Sequence, residues 1–159
     1  MGRYFHFLAM IATSTAIMFG LMYLNSYAFD HVYFSETRSY MALYMGAMMA
    51  VVMLAFMLGM YRSHWANIAI FTSAALVFVG SVYLVRSQAT VEDVSWMKAM
   101  IPHHSIAIMT SARANISDPR VRKLADDIIS AQELEIAEMK ALIADLNGGP
   151  AATPEIDGK

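Results

Sequence analysis

Two adjacent histidines follow a pair of methionines in the segment from Asp93 to Met109, which reads D-V-S-W-M-K-A-M-I-P-H-H-S-I-A-I-M. Met97 and Met100 supply soft thioether sulfur, and His103 and His104 supply imidazole nitrogen. Thioether sulfur favours Cu(I), while imidazole suits copper, zinc and iron. The segment therefore predicts a metal site that is better matched to copper than to a hard ion.

A second set of polar residues lies on the next predicted helix. Gln132 falls within its apolar stripe and Glu135 falls beside it. A buried polar group without a partner costs about 1 to 3 kcal/mol, so both side chains need a ligand or a hydrogen bond. The predicted buried face of this helix comprises Val121, Leu124, Ala125, Ile128, Ile129, Ile136, Met139, Leu142, Ile143 and Leu146.

Antiparallel pairing of the two helices predicts a shared site. A turn near Ile116 puts Ile101 level with Gln132, and Met97 level with Glu135. A ligating imidazole needs its other nitrogen held by an acceptor, which Glu135 or Asp93 is placed to provide. The residues expected to converge are Met97, Met100, His104, Gln132, Glu135 and Met139.

Simpler interpretations remain open for the same residues. Methionine often fills irregular core space, and a buried His–Glu pair can be purely structural. Pro102 can kink the first helix and move both histidines relative to Met97. The sequence contains no evident nucleophile and lacks the Glu-x-x-His motif of di-iron bundles, so we expect no enzymatic activity.

Composition predicts the setting of this site. The chain has 159 residues, of which 58% are hydrophobic and 15% charged, as in a membrane protein. A net charge of -2 without a basic run gives no reason to expect a nucleic-acid partner. Because cysteine is absent, disulfides, thiolate nucleophiles and zinc-ribbon sites are excluded.

Three apolar stretches predict an all-α protein with three transmembrane helices, at about residues 4–29, 40–61 and 67–86. Each is long enough to cross a hydrocarbon core of about 30 Å. The first stretch has a cleavable signal peptide as its competing interpretation. We expect a membrane domain over residues 1–87, an antiparallel helical hairpin over 88–147 and a disordered tail over 148–159.

Two side-chain ridges occur within the predicted spans. Small residues repeat at Ala12, Ala16 and Gly20 and again at Ala42, Gly46 and Ala50, so we expect these ridges to face each other. Methionines repeat every fourth residue at Met41, Met45, Met49, Met53 and Met57. The methionine ridge is interpreted first as a flexible packing seam, with passage of a soft cation as the alternative.

Capping residues predict the limits of the hairpin helices. Thr90 or Ser87 is expected to cap the first helix, which runs to about Asn115. Asp118 is expected to cap the second, with Pro119 at its first position. That helix should end at Asn147 and Gly148.

The motif also resembles a known family. M-I-P-H-H-S-I-A-I-M, followed by Q-E-L-E-I-A-E-M, is similar to the bacterial family catalogued as domain of unknown function 305 over about residues 91–143. Family members resemble ferritin-like helical bundles, are mostly exported and include periplasmic copper-binding proteins. The resemblance implies as candidate ligands Met97, Met100, His103, His104, Met109 and Met139, with Gln132 and Glu135 in support.

The chain departs from that family in two respects. Leu142 and Ile143 stand where an aromatic residue is common, and the chain has one hairpin where a bundle needs four helices. We therefore expect a second copy or a partner membrane subunit to complete the bundle. The expected location is a bacterial inner membrane, with the N-terminus cytoplasmic and the hairpin periplasmic. The alternative function is a non-enzymatic accessory subunit of a larger membrane complex.

Overall fold

The computed structural model describes residues 2–150, and within them every element of secondary structure is a helix. Five α-helices follow one another: α1 at Gly2–Leu21, α2 at Glu36–Phe56, α3 at His64–Ser87, α4 at Asp93–Arg113 and α5 at Pro119–Leu146. A short 3-10 helix at Phe29–His31 lies between α1 and α2. The predicted tail falls partly on residues 151–159, which lie outside the described part.

The described chain forms two compact units. The three-helix unit holds residues 2–22 and 36–91, and the hairpin unit holds residues 23–35 and 92–150. The predicted membrane domain over residues 1–87 therefore differs from the three-helix unit, because residues 23–35, after α1, belong to the hairpin unit. Helices α1, α2 and α3 are each long and apolar enough to cross a membrane.

The first spanning helix is shorter than predicted and the second begins earlier. Helix α1 ends at Leu21 rather than near Phe29, and α2 starts at Glu36 rather than Tyr40. Carbonyl groups at the end of a helix lack helical partners, and Arg38 supplies one by donating from Nη1 to the Met22 carbonyl at 2.7 Å. The buried guanidinium therefore stabilises an early end to α1.

Only one of the two predicted small-residue ridges is buried. Ala42, Gly46 and Ala50 lie inside the three-helix unit, and a Cβ added to Gly46 would clash with Thr15 on α1. On α1, by contrast, a Cβ added to Gly20 would meet no atom within 4 Å. Ala12 and Ala16 line one groove with Ala42, Gly46 and Ala50, but the direct contact with Gly46 comes from the adjacent, bulkier ridge of α1 and not from the predicted small-residue ridge. The bulkier ridge comprises Phe7, Ile11 and Thr15.

The hairpin helices begin differently. Helix α4 has Glu92 at its N-cap without a side-chain hydrogen bond, so the predicted caps Thr90 and Ser87 are wrong. Ser87 is still helical in α3, and Thr90 is hydrogen-bonded to Tyr40 instead. Helix α5 is capped as predicted, because the Asp118 carboxylate accepts from the backbone N–H of Arg120 at 2.8 Å.

The end of α5 also agrees with its sequence signals, because Asn147 is the C-cap and Gly148 has a φ of +81°. Its buried face is narrower than predicted, since Val121, Leu124 and Leu146 are 49%, 58% and 58% exposed. Helix α5 has 28 residues and α4 has 21, so α4 is too short to cover both ends of α5. The buried residues of α5 are Ala125, Ile136, Met139 and Ile143.

Candidate metal-binding seam

His104 lies on the seam between α4 and α5 and is only 8% exposed. Helix α4 continues through Pro102, so the two histidines stay in register with the methionines before them. The His104 Nδ1 lies 3.0 Å from the Met100 carbonyl oxygen, and its Nε2 lies 2.5 Å from Oε2 of Glu135 on α5. A carbonyl can only accept, so Nδ1 carries a hydrogen, and the other ring nitrogen, Nε2, is hydrogen-bonded to the Glu135 carboxyl.

Both members of this pair lean toward the start of their own helix, as helical side chains do. His104 reaches back to Met100, and Oε2 of Glu135 lies 3.4 Å from the amide nitrogen of Gln132. The carboxyl therefore meets His104 rather than Met97, which had been placed level with Glu135. Of the two carboxylates expected to hold the imidazole, Glu135 contacts it at Nε2, while the Met100 carbonyl and not a carboxylate holds Nδ1. Asp93 lies exposed in the first turn of α4.

Three methionines belong to the apolar core beside this pair. Met97 is 5% exposed and Met139 is 6% exposed, and both pack in one cluster with Ile101 and Ile136. Met100 is half-buried against that cluster. The seam thus brings thioethers from both helices into the core that His104 adjoins.

The remaining predicted ligands lie further from the seam. His103 is exposed, and its ring centroid lies 6.1 Å from that of His104 in an edge-on arrangement. Met109 is half-buried and is not among the described residues of the apolar cluster that contains Met97 and Met139. Among residues 2–150, no group of three or more His, Cys, Asp or Glu side chains is placed to hold a metal ion.

The hairpin lies in a stretch that has recognisable relatives. Residues 84–155 match the family described as Domain of unknown function (DUF305). The chain is also similar to Uncharacterized protein L153 of Acanthamoeba polyphaga mimivirus, with 44% identity over 64 residues. Those residues are 39% of this chain and 42% of that protein, so the match spans less than half of either chain. No solved structure matches the chain.

A second polar cluster joins the hairpin to the connection at residues 23–35, which we call the strap. Ser105 on α4 is wholly buried, and its Oγ accepts from the Tyr27 backbone N–H at 2.7 Å. His31 Nδ1 lies 3.0 Å from the same oxygen. On α5, Lys140 Nζ lies 2.6 Å from Oδ2 of Asp30. The strap is therefore fastened to both helices of the hairpin.

Electrostatics distinguish the histidine and the aspartate of the strap. Burial, and then the nearby charge of Lys140, lowers the pKa of His31 from its ordinary value of 6.5, against a smaller opposite effect of Asp30. The hydrogen bond from Lys140 lowers the pKa of the Asp30 carboxyl. Near neutral pH the strap thus presents a neutral imidazole to Ser105 and a carboxylate to Lys140.

Sequence reasoning missed the strap because residues 23–29 were placed in the first predicted transmembrane helix. The available signal was its aromatic content, because Tyr27, Phe29, Tyr33 and Phe34 fall within a short stretch. Tyr33 packs against the core that contains Met97 and Met139. Ser105 gave no signal of its own, since serine is common in solvent-facing positions of helices.

Proposed function

We propose that this chain is a membrane-anchored copper-binding protein that takes up Cu(I) through methionine and histidine for periplasmic sequestration, delivery or tolerance. The observation that carries the proposal is the fixed orientation of His104. Its Nδ1–H is held by the Met100 carbonyl, which leaves Nε2 as the nitrogen able to ligate. Metal-binding histidines are held in this way, by an acceptor at the second ring nitrogen.

The donor set fits a soft cation. Thioethers from Met97 on α4 and Met139 on α5 share the buried cluster next to His104. Soft sulfur with imidazole matches Cu(I) better than it matches Mg²⁺ or Ca²⁺, which prefer oxygen ligands. Met100, His103 and Met109 are further candidates implied by the family resemblance. The thioethers and the imidazole would supply soft coordination to a bound copper ion.

Glu135 would act as a competitor at the ligating nitrogen. Its carboxyl occupies the Nε2 position of His104, so the carboxyl must move aside before that nitrogen can ligate. Because the Glu135 side chain is 51% exposed, water can solvate it when it moves. The same carboxyl keeps the buried imidazole hydrogen-bonded when no metal is present.

The proposed location follows from the three apolar helices and the family resemblance. The spans would lie in a bacterial inner membrane with the N-terminus cytoplasmic, which puts the hairpin in the periplasm. The hairpin would form half of a ferritin-like bundle, completed by a second copy or by a partner subunit. Exposed apolar residues on α5, such as Leu124 and Leu134, are compatible with such a partner.

Titration with Cu(I) against a chromogenic chelator tests the proposal. The full chain in detergent is compared with the double variant His103→Ala/His104→Ala, and His6→Ala serves as the control because His6 is exposed on α1. We expect uptake by the parent and the control, and a loss of at least about tenfold in affinity for the double variant. Equal uptake by all three proteins, or no uptake by the parent, would overturn the proposal.

A second candidate function is that of an accessory subunit, and one feature of the three-helix unit favours it. A groove of about 720 Å³ runs along α1, α2 and α3, and its lining includes the exposed small residues Ala12 and Ala16. A transmembrane helix of a larger complex could approach closely over such a surface. Co-purification with one membrane protein at constant ratio, which is lost when the exposed Ala16 is changed to Leu, would support this function over copper binding.

A further inference from the structure

The strap is apolar on both of its sides. Val32 has an extended backbone, and along such a backbone successive side chains point to opposite faces. Tyr33 accordingly packs inward against the core of the hairpin, whereas Val32 and Phe34 are exposed. Phe29 is 98% exposed, so no other part of the described chain covers its ring. The exposed large hydrophobic residues of the strap are Leu24, Tyr27, Phe29, Val32 and Phe34.

The other connection within the hairpin unit is different. The turn at residues 114–118 exposes Ala114, Asn115 and Ser117, and its one large hydrophobic residue, Ile116, is half-buried. Exposed apolar patches on proteins mark surfaces that contact something apolar. The outer face of the strap is therefore an interaction surface, whereas the turn is an ordinary solvated connection.

The position of the strap in the chain indicates what its outer face contacts. Because α1 and α2 are successive helices that are each able to cross a membrane, the strap leaves and returns to the same membrane surface. Its two ends are held together, since Arg38 Nη1 donates to the Met22 carbonyl at 2.7 Å. Leu24 and Phe34 lie within three residues of the helix ends, or at most about 11 Å along an extended chain. The headgroup layer on each side of the hydrocarbon core is about 5 to 8 Å thick, so both side chains lie within reach of it.

Charge does not keep the outer face of the strap in water. Residues 23–35 contain no lysine or arginine, and their one acidic residue is Asp30. Oδ2 of Asp30 lies 2.6 Å from Lys140 Nζ, so this charge is already paired with α5. Tyrosine is enriched at membrane–water interfaces, and phenylalanine and leucine form the buried face of segments that lie in that layer. The composition of the outer face therefore matches a lipid surface.

We propose that the strap is a membrane-surface anchor, which inserts Leu24, Phe29 and Phe34 into the interfacial layer of the bilayer while its inner side stays fastened to α4 and α5. A protein partner would need a complementary surface placed at this same membrane boundary, whereas lipid is present there in either orientation of the chain. The inference requires that α1 and α2 cross a membrane, but it does not depend on copper binding.

Spin labelling tests the anchor, because the chain has no native cysteine to compete for the label. Phe29→Cys and Phe34→Cys each place a nitroxide on the outer face of the strap. Leu76→Cys, at an exposed position within α3, is the lipid control, and Asn115→Cys, in the exposed turn of the hairpin, is the water control. Each full-length protein is placed in a nanodisc of phosphatidylcholine and phosphatidylglycerol. Electron paramagnetic resonance then measures nitroxide collisions with oxygen, which dissolves in lipid, and with a nickel chelate, which stays in water.

We expect the ratio of oxygen to nickel collision rates on the strap to be several-fold higher than at Asn115→Cys and to approach the ratio at Leu76→Cys. Adding Phe29→Ser to Phe34→Cys should lower the ratio at position 34, because the anchor loses a neighbouring apolar side chain. A strap ratio equal to that at Asn115→Cys would place the strap in water. Low collision rates with both reagents would show that a second copy or another protein covers it. Either result, or a ratio at position 34 that Phe29→Ser leaves unchanged, would overturn the anchor.

Discussion

The imidazole Nε2 of His104 lies 2.5 Å from the carboxylate oxygen of Glu135, and this contact joins the two helices of the hairpin across their apolar seam. The histidine is buried, whereas half of the glutamate side chain is in solvent. The pair therefore has one immobile member and one that can move. A buried imidazole whose hydrogen-bond partner, Glu135, can be displaced is suited to the proposed metal binding.

Glu135→Gln should destabilise the hairpin modestly. The change keeps the size of the side chain but replaces the carboxyl group that contacts the buried imidazole with an amide. We expect a loss of about 1 kcal/mol in the free energy of unfolding, limited by solvent screening of the half-exposed carboxyl. Thermal unfolding followed by circular dichroism measures it. Glu138→Gln on the exposed face of α5 is the control, and equal effects of the two changes would contradict the assigned contact.

Met97→Leu and Met139→Leu separate ligation from packing. Leucine replaces methionine in a core at a cost that is usually below about 1.5 kcal/mol, but it has no sulfur. If these thioethers bind Cu(I), each variant should keep its fold and lose affinity, whereas Met10→Leu on α1 should lose none. Unchanged affinity in the Met97→Leu/Met139→Leu double variant would assign both residues to packing alone.

Gly46→Ala should loosen the contact between α1 and α2. Alanine is favoured over glycine in a helix by about 1 kcal/mol, yet its Cβ would overlap Thr15. We expect a lower thermal stability for Gly46→Ala, and none of this loss for Gly20→Ala, where the added Cβ meets open space. Adding Thr15→Ala should rescue Gly46→Ala. Failure of that rescue would show that the clash is not the cause.

The Asp118 cap should give α5 an acid-sensitive start. The hydrogen bond from the Arg120 side chain, and then one from the Arg120 backbone, lowers the pKa of Asp118 from its ordinary value of 3.8. A lowered carboxyl pKa stabilises the folded state above 3.8, and this stabilisation is lost as the pH falls through the folded pKa. Asp118→Ala should therefore lower the melting temperature at neutral pH but have progressively less effect below 3.8. An effect that does not vary with pH would contradict the charged cap.

A reporter that is active only in the periplasm should be active when fused after Asn147. Three membrane crossings from a cytoplasmic N-terminus put this position outside. A fusion after Arg62, which follows two crossings, should be inactive and serves as the matched control. The opposite pattern would reverse the proposed orientation.

Local chemistry predicted those parts of the fold that depend on neighbouring residues. The long apolar runs predicted three helices able to cross a membrane, and Asp118 with Pro119 predicted the start of α5. The burial of His104 and the exposure of His103 also follow from helical periodicity. Each of these features needs only the spacing of residues along one helix.

Features that depend on distant residues were not predictable in this way. Tyr27 contacts Ser105 across 78 positions of sequence, and neither residue type indicates that partner. The face by which α1 contacts α2 was also mispredicted, because small residues and a bulky ridge lie one position apart on that helix. Periodicity locates a stripe, whereas the choice between adjacent stripes depends on the complementary surface.

The hairpin unit is made from two separated lengths of chain, and this sets an order on its assembly. Asp30 emerges from the ribosome 110 residues before Lys140. The strap therefore cannot contact α4 and α5 until α2 and α3 have been synthesised. Closing such a long loop is entropically costly, and contacts distant in sequence form late in folding. A fragment that begins after α3 would lack its own covering segment and leave the Ser105 hydroxyl without Tyr27 and His31. The natural folding module is therefore the whole chain through α5.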